Sequence, residues 1–131
     1  MAITYRIIRR KNNIGGKKDV YILHAIKSGE VDLERLAYEI SHQCSLSEAD
    51  VWAVLVALGQ QMQHHLEDGK TVNLDRIGRF NIGFKCKAQE NPDDLKPSEI
   101  KDFHINYQPS LKLKNWLKGG LKLKKEKKSG S

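Results

Sequence analysis

The chain has 131 residues, with 23 Lys and Arg against 16 Asp and Glu and a formal net charge of +7, a length that suits one domain with short extensions. No apolar run approaches the roughly 18 residues of a membrane span, and Met1 to Arg6 lacks the apolar stretch of a secretion signal. Two cysteines, Cys44 and Cys86, are too few for a disulfide scaffold and are expected as buried thiols of a reduced, cytoplasmic protein.

The positive charge sits at the two ends. Residues 1–31 carry seven basic and two acidic groups, a net +5, and residues 118–131 carry six and one, again +5. The middle, 32–117, has ten basic and thirteen acidic residues, a net −3. Basic termini suit a polyanionic partner, nucleic acid foremost. For the Lys-rich tail the alternative is a solvated, flexible end.

Taken in order, Ile3–Arg10 and Val20–Ile26 are rich in β-branched residues and flank a Gly-, Asn- and Lys-containing stretch, which predicts a β-hairpin with a long basic loop. An amphipathic helix follows from Leu33 to Gln43, with Asp32 at its N-cap and Leu33, Leu36, Ala37 and Ile40 on one face. A second helix runs from Glu48 to Asp68, opened by Ser47 and closed by Gly69, so the two form a helical hairpin. Its stretch Val51-Trp52-Ala53-Val54-Leu55-Val56-Ala57-Leu58 is apolar on every side. Such a helix must be buried all round, which one short helix and a small sheet cannot achieve; the implied cover is a second copy of the chain. A strand is the competing assignment for these eight residues, and the flanking caps favour helix.

Beyond Gly69, Thr71–Leu74 reads as a short strand and Asp75–Gly78 as a turn. Phe80, Ile82, Phe84 and Cys86 then alternate with polar and basic residues through Lys87. Residues 89–99 have loop composition. Phe103, Ile105 and Tyr107 alternate in a returning strand, and a last helix spans Leu111 to Lys118, ended by Gly119.

The order helix, turn, helix, strand, strand, arm, strand, short helix resembles the HU/integration-host-factor family of bacterial histone-like DNA-binding proteins over residues 30–118. The pieces that carry the resemblance are Leu46-Ser47-Glu48-Ala49-Asp50-Val51, Asp68-Gly69-Lys70 and Leu74 with Ile77-Gly78-Arg79-Phe80. The last four stand where the family has Phe-Gly-x-Phe, and Tyr107-Gln108-Pro109-Ser110-Leu111-Lys112-Leu113-Lys114 stands where it has Phe-x-Pro-Gly-x-x-Leu-Lys. The extra N-terminal hairpin is similar to that of the extended branch of the family. The resemblance implies an α+β, intertwined homodimer with a helical-hairpin base, a three-stranded β saddle and a short C-terminal helix. Val51, Trp52, Leu55, Leu58, Ile77, Phe80 and Tyr107 would form the dimer core. The expected divisions are a hairpin extension (1–27), the HU-like domain (28–118) and a basic flexible tail (119–131).

The resemblance also implies double-stranded DNA as partner, in the nucleoid. In the family, basic arms end in Arg-Asn-Pro and the proline wedges between base steps to kink the duplex. Here the matching segment is Glu90-Asn91-Pro92-Asp93-Asp94. Three carboxylates oppose a phosphate backbone, so Pro92 is expected as a turn proline and Pro97-Ser98-Glu99 as the start of a helical turn. DNA contacts are assigned instead to Arg9, Arg10, Lys11, Lys17 and Lys18, to Arg79, Lys85 and Lys87 on the saddle, and to Lys112, Lys114, Lys122 and Lys124. Phosphate contacts of this kind carry no sequence information. Adjacent His64 and His65 diverge by about 100° on a helix and make a poor metal pair. No nucleophile–base constellation is present in the sequence, so the chain is expected to be neither an enzyme nor a holder of any metal, cofactor or small-molecule substrate. The alternatives are an HU-derived protein-interaction or structural module, and RNA binding.

Overall fold

The structure, a computed structural model, describes residues 1–11 and 18–127. The chain divides into two compact units: residues 1–32 with 119–131, and residues 33–118.

In the first unit β1 (Ile3–Lys11) and β2 (Asp19–Ile26) pair antiparallel in an unbroken register from Thr4↔Ile26 to Lys11↔Asp19. The hairpin is as expected, although its loop tip lies outside the described residues. The tail reading changes. Leu123–Lys125 is a strand, β6, that runs parallel to β1 with Ile3 opposite Leu123 and Tyr5 opposite Lys125. The Ile3 N–H donates to the Lys122 carbonyl and the Glu126 N–H to the Tyr5 carbonyl, both at 2.9 Å. A bidentate pair from Arg6 to Glu126, at 2.7 and 2.6 Å, fixes the same edge. That hydrogen bond holds the Glu126 carboxyl below the usual carboxylate range, so this tie is present at neutral pH and is lost as pH falls through the depressed value.

The second unit contains α1 (Leu33–Ser41), α2 (Glu48–Glu67) and a sheet in the order β3 (Val72–Asn73), β4 (Gly78–Phe84), β5 (Phe103–Pro109), followed by α3 (Leu111–Lys118). α1 stops two residues short of the expected Gln43, because His42 and Gln43 donate to carbonyls only three residues back and the last turn tightens. α2 begins where the sequence places it: the Ser47 hydroxyl accepts from the Asp50 N–H at 3.1 Å. It ends at Gly69, whose φ of 80° lets the Lys70 N–H turn back to the His65 carbonyl. At the end of α3 the left-handed residue is Gly120, one beyond the expected Gly119.

Among the described residues the buried apolar side chains are Ala37, Val51 and Leu66. On α2, Trp52 is 48% and Val54 57% exposed, while Leu55 and Leu58 are half-buried. The eight-residue apolar stretch is therefore helical, and one chain leaves much of it uncovered. Cys44 and Cys86, expected as buried thiols, are both exposed. Among the described residues no helix is long and apolar enough to cross a membrane.

Candidate nucleic-acid interface

The two stretches with the most specific resemblance meet in space. A tight turn over Leu74–Ile77 is closed by the Ile77 N–H donating to the Leu74 carbonyl at 2.7 Å. Asp75 takes a positive φ of 35° there, and its N–H donates to the Asn73 side chain at 3.0 Å. The turn presents two carbonyls to the β5–α3 junction. The Tyr107 hydroxyl donates to the Ile77 carbonyl at 2.8 Å, and the Ser110 hydroxyl donates to the Arg76 carbonyl at 2.6 Å. Ser110 also accepts from the Leu113 N–H at 3.2 Å, so it caps α3 while locking it to the turn. Gly78 sits between, at φ 147°; a Cβ there would collide with the Gln108 carbonyl oxygen and lie 2.8 Å from Tyr107 Cε1. The Tyr and Ser that replace the family's Phe and Gly thus each contribute a hydrogen bond.

This lock sets the register of the β4–β5 ribbon and gives it two unlike faces. One carries Phe80↔Tyr107, Ile82↔Ile105 and Phe84↔Phe103, with the first ring pair 4.9 Å apart. The other carries Arg79↔Gln108, Asn81↔Asn106 and Gly83↔His104. Asn106 donates to Asn81 across the strands at 3.0 Å. Gly83 leaves room for the imidazole, since a Cβ would lie 2.6 Å from His104 Nε2. The polar face is therefore built largely of amides and an imidazole, with Arg79 at its α3 end. Arg79 and Lys114 line a common cleft of about 240 Å³, beside Asp75 and Gln108 at the start of α3. Asn81, His104, Asn106 and Gln108 are absent from the expected contact residues, although the period of two that places Phe103, Ile105 and Tyr107 on one face also places His104, Asn106 and Gln108 on the other.

Other expected residues fall differently. β4 ends at Phe84, so the strand alternation does not extend to Lys87. The Lys85 N–H reaches only the Asp102 carbonyl, at 3.4 Å, and Lys87 lies off the saddle strand. The reason lies in the returning chain, which makes short 3-10 turns at Pro92–Asp94 and Pro97–Glu99 and resumes pairing at Phe103. Asn91 caps the first turn, accepting from the Asp93 N–H at 3.1 Å. Pro92 is a turn proline, as expected from its carboxylate neighbours. Lys112 is exposed on the first turn of α3.

In the first unit Arg9 is paired with Asp19 at 2.6 Å. Arg10, Lys11 and Lys18 are exposed, whereas Lys17 lies outside the described residues. Lys122 and Lys124, expected on a flexible tail, flank and occupy β6. The two basic ends of the sequence therefore converge. By sequence, residues 1–32 with 119–131 carry twelve basic and four acidic groups, a net +8, while 33–118 carry eleven and twelve, a net −1.

Of the expected dimer-core residues, Val51 is buried within the chain, Leu55, Leu58 and Phe80 are half-buried, and Trp52, Ile77 and Tyr107 are exposed. Between α2 and the apolar ribbon face lies an open hollow of about 770 Å³, lined by Met62, Leu66, Ile82, Phe103 and Ile105.

No curated protein matches the chain. A 2.25 Å crystal structure from Bacteroides vulgatus ATCC 8482, described as that of a candidate bacterial DNA-binding protein, is similar in fold, with a TM-score of 0.67 at 11% identity. The similarity covers 99% of this chain and 51% of that one, so this chain spans about half its length. The family described as an HU domain fused to a wHTH, Ig or glycine-rich motif (HU-HIG) matches residues 1–125. With the helical hairpin, the interlocked turn and the two-faced ribbon in place, the chain belongs to the HU-HIG family.

Proposed function

We propose that the protein is a homodimeric, nucleoid-associated protein that binds duplex DNA largely without regard to sequence and without strong bending. The observation that carries this reading is the two-faced β4–β5 ribbon of an HU-family chain, whose polar face ends in the cleft shared by Arg79 and Lys114. An exposed strand face with a cation at its end suits a phosphate backbone, while the opposite aromatic face suits a partner subunit. The hollow of about 770 Å³ beside α2 and the exposed Trp52 and Val54 support the same second copy. The terminal unit adds a non-specific electrostatic pull through its net +8.

The short turns at Pro92 and Pro97, with Glu90, Asp93 and Asp94 beside them, supply neither the length nor the charge of a wedge-bearing arm. A gel shift on straight, nicked and pre-bent duplexes therefore retains all three equally. A strong preference for the pre-bent duplex would return the bending role to this segment. In the same assay Arg79→Gln with Lys114→Gln lowers the slope of log affinity against log salt by about 0.9 for each lost phosphate contact. An unchanged slope would remove the ribbon from the DNA interface. The near-neutral charge of residues 33–118 favours one second reading, an HU-derived protein-interaction module; retention of DNA unaffected by these substitutions would favour it.

A further inference from the structure

We infer that the terminal sheet carries a separate binding surface, on one face of β1, β2 and β6, for single-stranded nucleic acid. The register defines that face in rows: Lys125–Tyr5–Ala25, then Ile7–Leu23, then Arg9–Tyr21, then Lys11–Asp19. Residues opposite one another in a sheet share a face, so each tyrosine has a cation as its cross-strand neighbour. The two tyrosine rows are four residues apart on β1, about 13–14 Å at 3.4 Å per residue. Ile7 and Leu23 fill the space between them.

This face is open along its middle and its β2 side, where Tyr21 is 67%, Leu23 59% and Ile7 49% exposed, and Tyr5 is half-buried. On the reverse face Thr4, Ile8, Ile22 and Ile26 are half-buried. An aromatic and aliphatic platform offers stacking to bases whose faces are free, which a duplex hides and a single strand presents. The cations lie among the stacking positions, matching a ligand in which bases and phosphates alternate. A lipid surface or an apolar helix would be better met by an uninterrupted apolar centre. Charge decides the sign of the partner, since the unit holds a net +8 in a chain of +7. Asp19, which pairs Arg9 at 2.6 Å, is the carboxylate on this face and marks its end. The surface does not depend on duplex binding by the β4–β5 ribbon.

The test is fluorescence anisotropy of the full chain with a labelled oligothymidylate and, in parallel, a labelled duplex at low salt. The wild-type chain binds the oligothymidylate. Tyr21→Leu, which keeps an apolar side chain at an exposed position, weakens that binding about tenfold and leaves duplex affinity unchanged; Tyr21→Phe retains it. Equal losses on both ligands, or no loss, would overturn the assignment. So would Tyr21-dependent binding to phosphatidylglycerol vesicles without oligothymidylate binding, or a halved mass of Tyr21→Leu in sedimentation, which would make the face a lipid or subunit contact. Tyr21-dependent single-strand binding without duplex binding upholds this surface and removes the ribbon's role. Duplex binding alone does the reverse.

Discussion

Gly78→Ala is expected to lower the stability of the 33–118 unit by about 3 kcal/mol or more, read as a shift of the urea midpoint. Two costs combine. The residue sits at φ 147°, where L side chains are strained, and the new Cβ would meet the Gln108 carbonyl, which the β4–β5 ladder holds in place. Nothing at that point yields without breaking the register that brings Tyr107 to the Ile77 carbonyl and Ser110 to the Arg76 carbonyl. Small domains have only about 5–15 kcal/mol in total, so the loss takes a large share of the unit's stability. Gly83→Ala is the informative comparison. Its Cβ meets the end of the exposed His104 side chain, which can rotate away, so its cost stays within about 1 kcal/mol. Equal effects of the two substitutions would mean that the interlocked turn does not organise this unit.

Val54→Asp separates a lone chain from a dimer. Within one chain Val54 is 57% exposed on α2, and an exposed substitution of this kind changes stability by about 0.5 kcal/mol at most. Between two copies the same position places a carboxylate in an apolar seam, at a cost of several kcal/mol. The expected outcome is a wild-type dimer in sedimentation and a Val54→Asp chain that is monomeric and largely unfolded. A monomeric wild type, or an unaffected variant, would leave the apolar stretch Val51–Leu58 without the proposed cover.

What could be read from the sequence was local chemistry with a firm geometric consequence. Ser47 and Gly69 bracket α2 because a hydroxyl cap and a left-handed glycine are short-range devices. The alternation of Phe80, Ile82 and Phe84 against Phe103, Ile105 and Tyr107 specified two faces of one ribbon. What escaped was pairing across distance. Leu123-Lys124-Lys125 has the composition of a solvated tail, and becomes a strand only through Ile3–Tyr5 at the opposite end of the chain; lysines are also what protects an exposed edge from unwanted pairing. The period of two continues to Cys86, yet β4 stops at Phe84 because the returning strand begins at Phe103. The candidate interface was legible in part. Arg79 stands out by its charge, whereas Asn81, Asn106 and Gln108 do not, because uncharged amides carry no electrostatic signal. Two basic ends counted separately concealed that they form one unit of net +8, against −1 for residues 33–118.

The most direct measurement is the affinity of the full chain for a short straight duplex over a range of salt concentrations. Electrostatic docking predicts tight binding at low salt and a linear fall of log affinity with log salt, at about 0.9 per phosphate contact, with little change on scrambling the sequence. No binding at the lowest salt, or an affinity indifferent to salt, would contradict it.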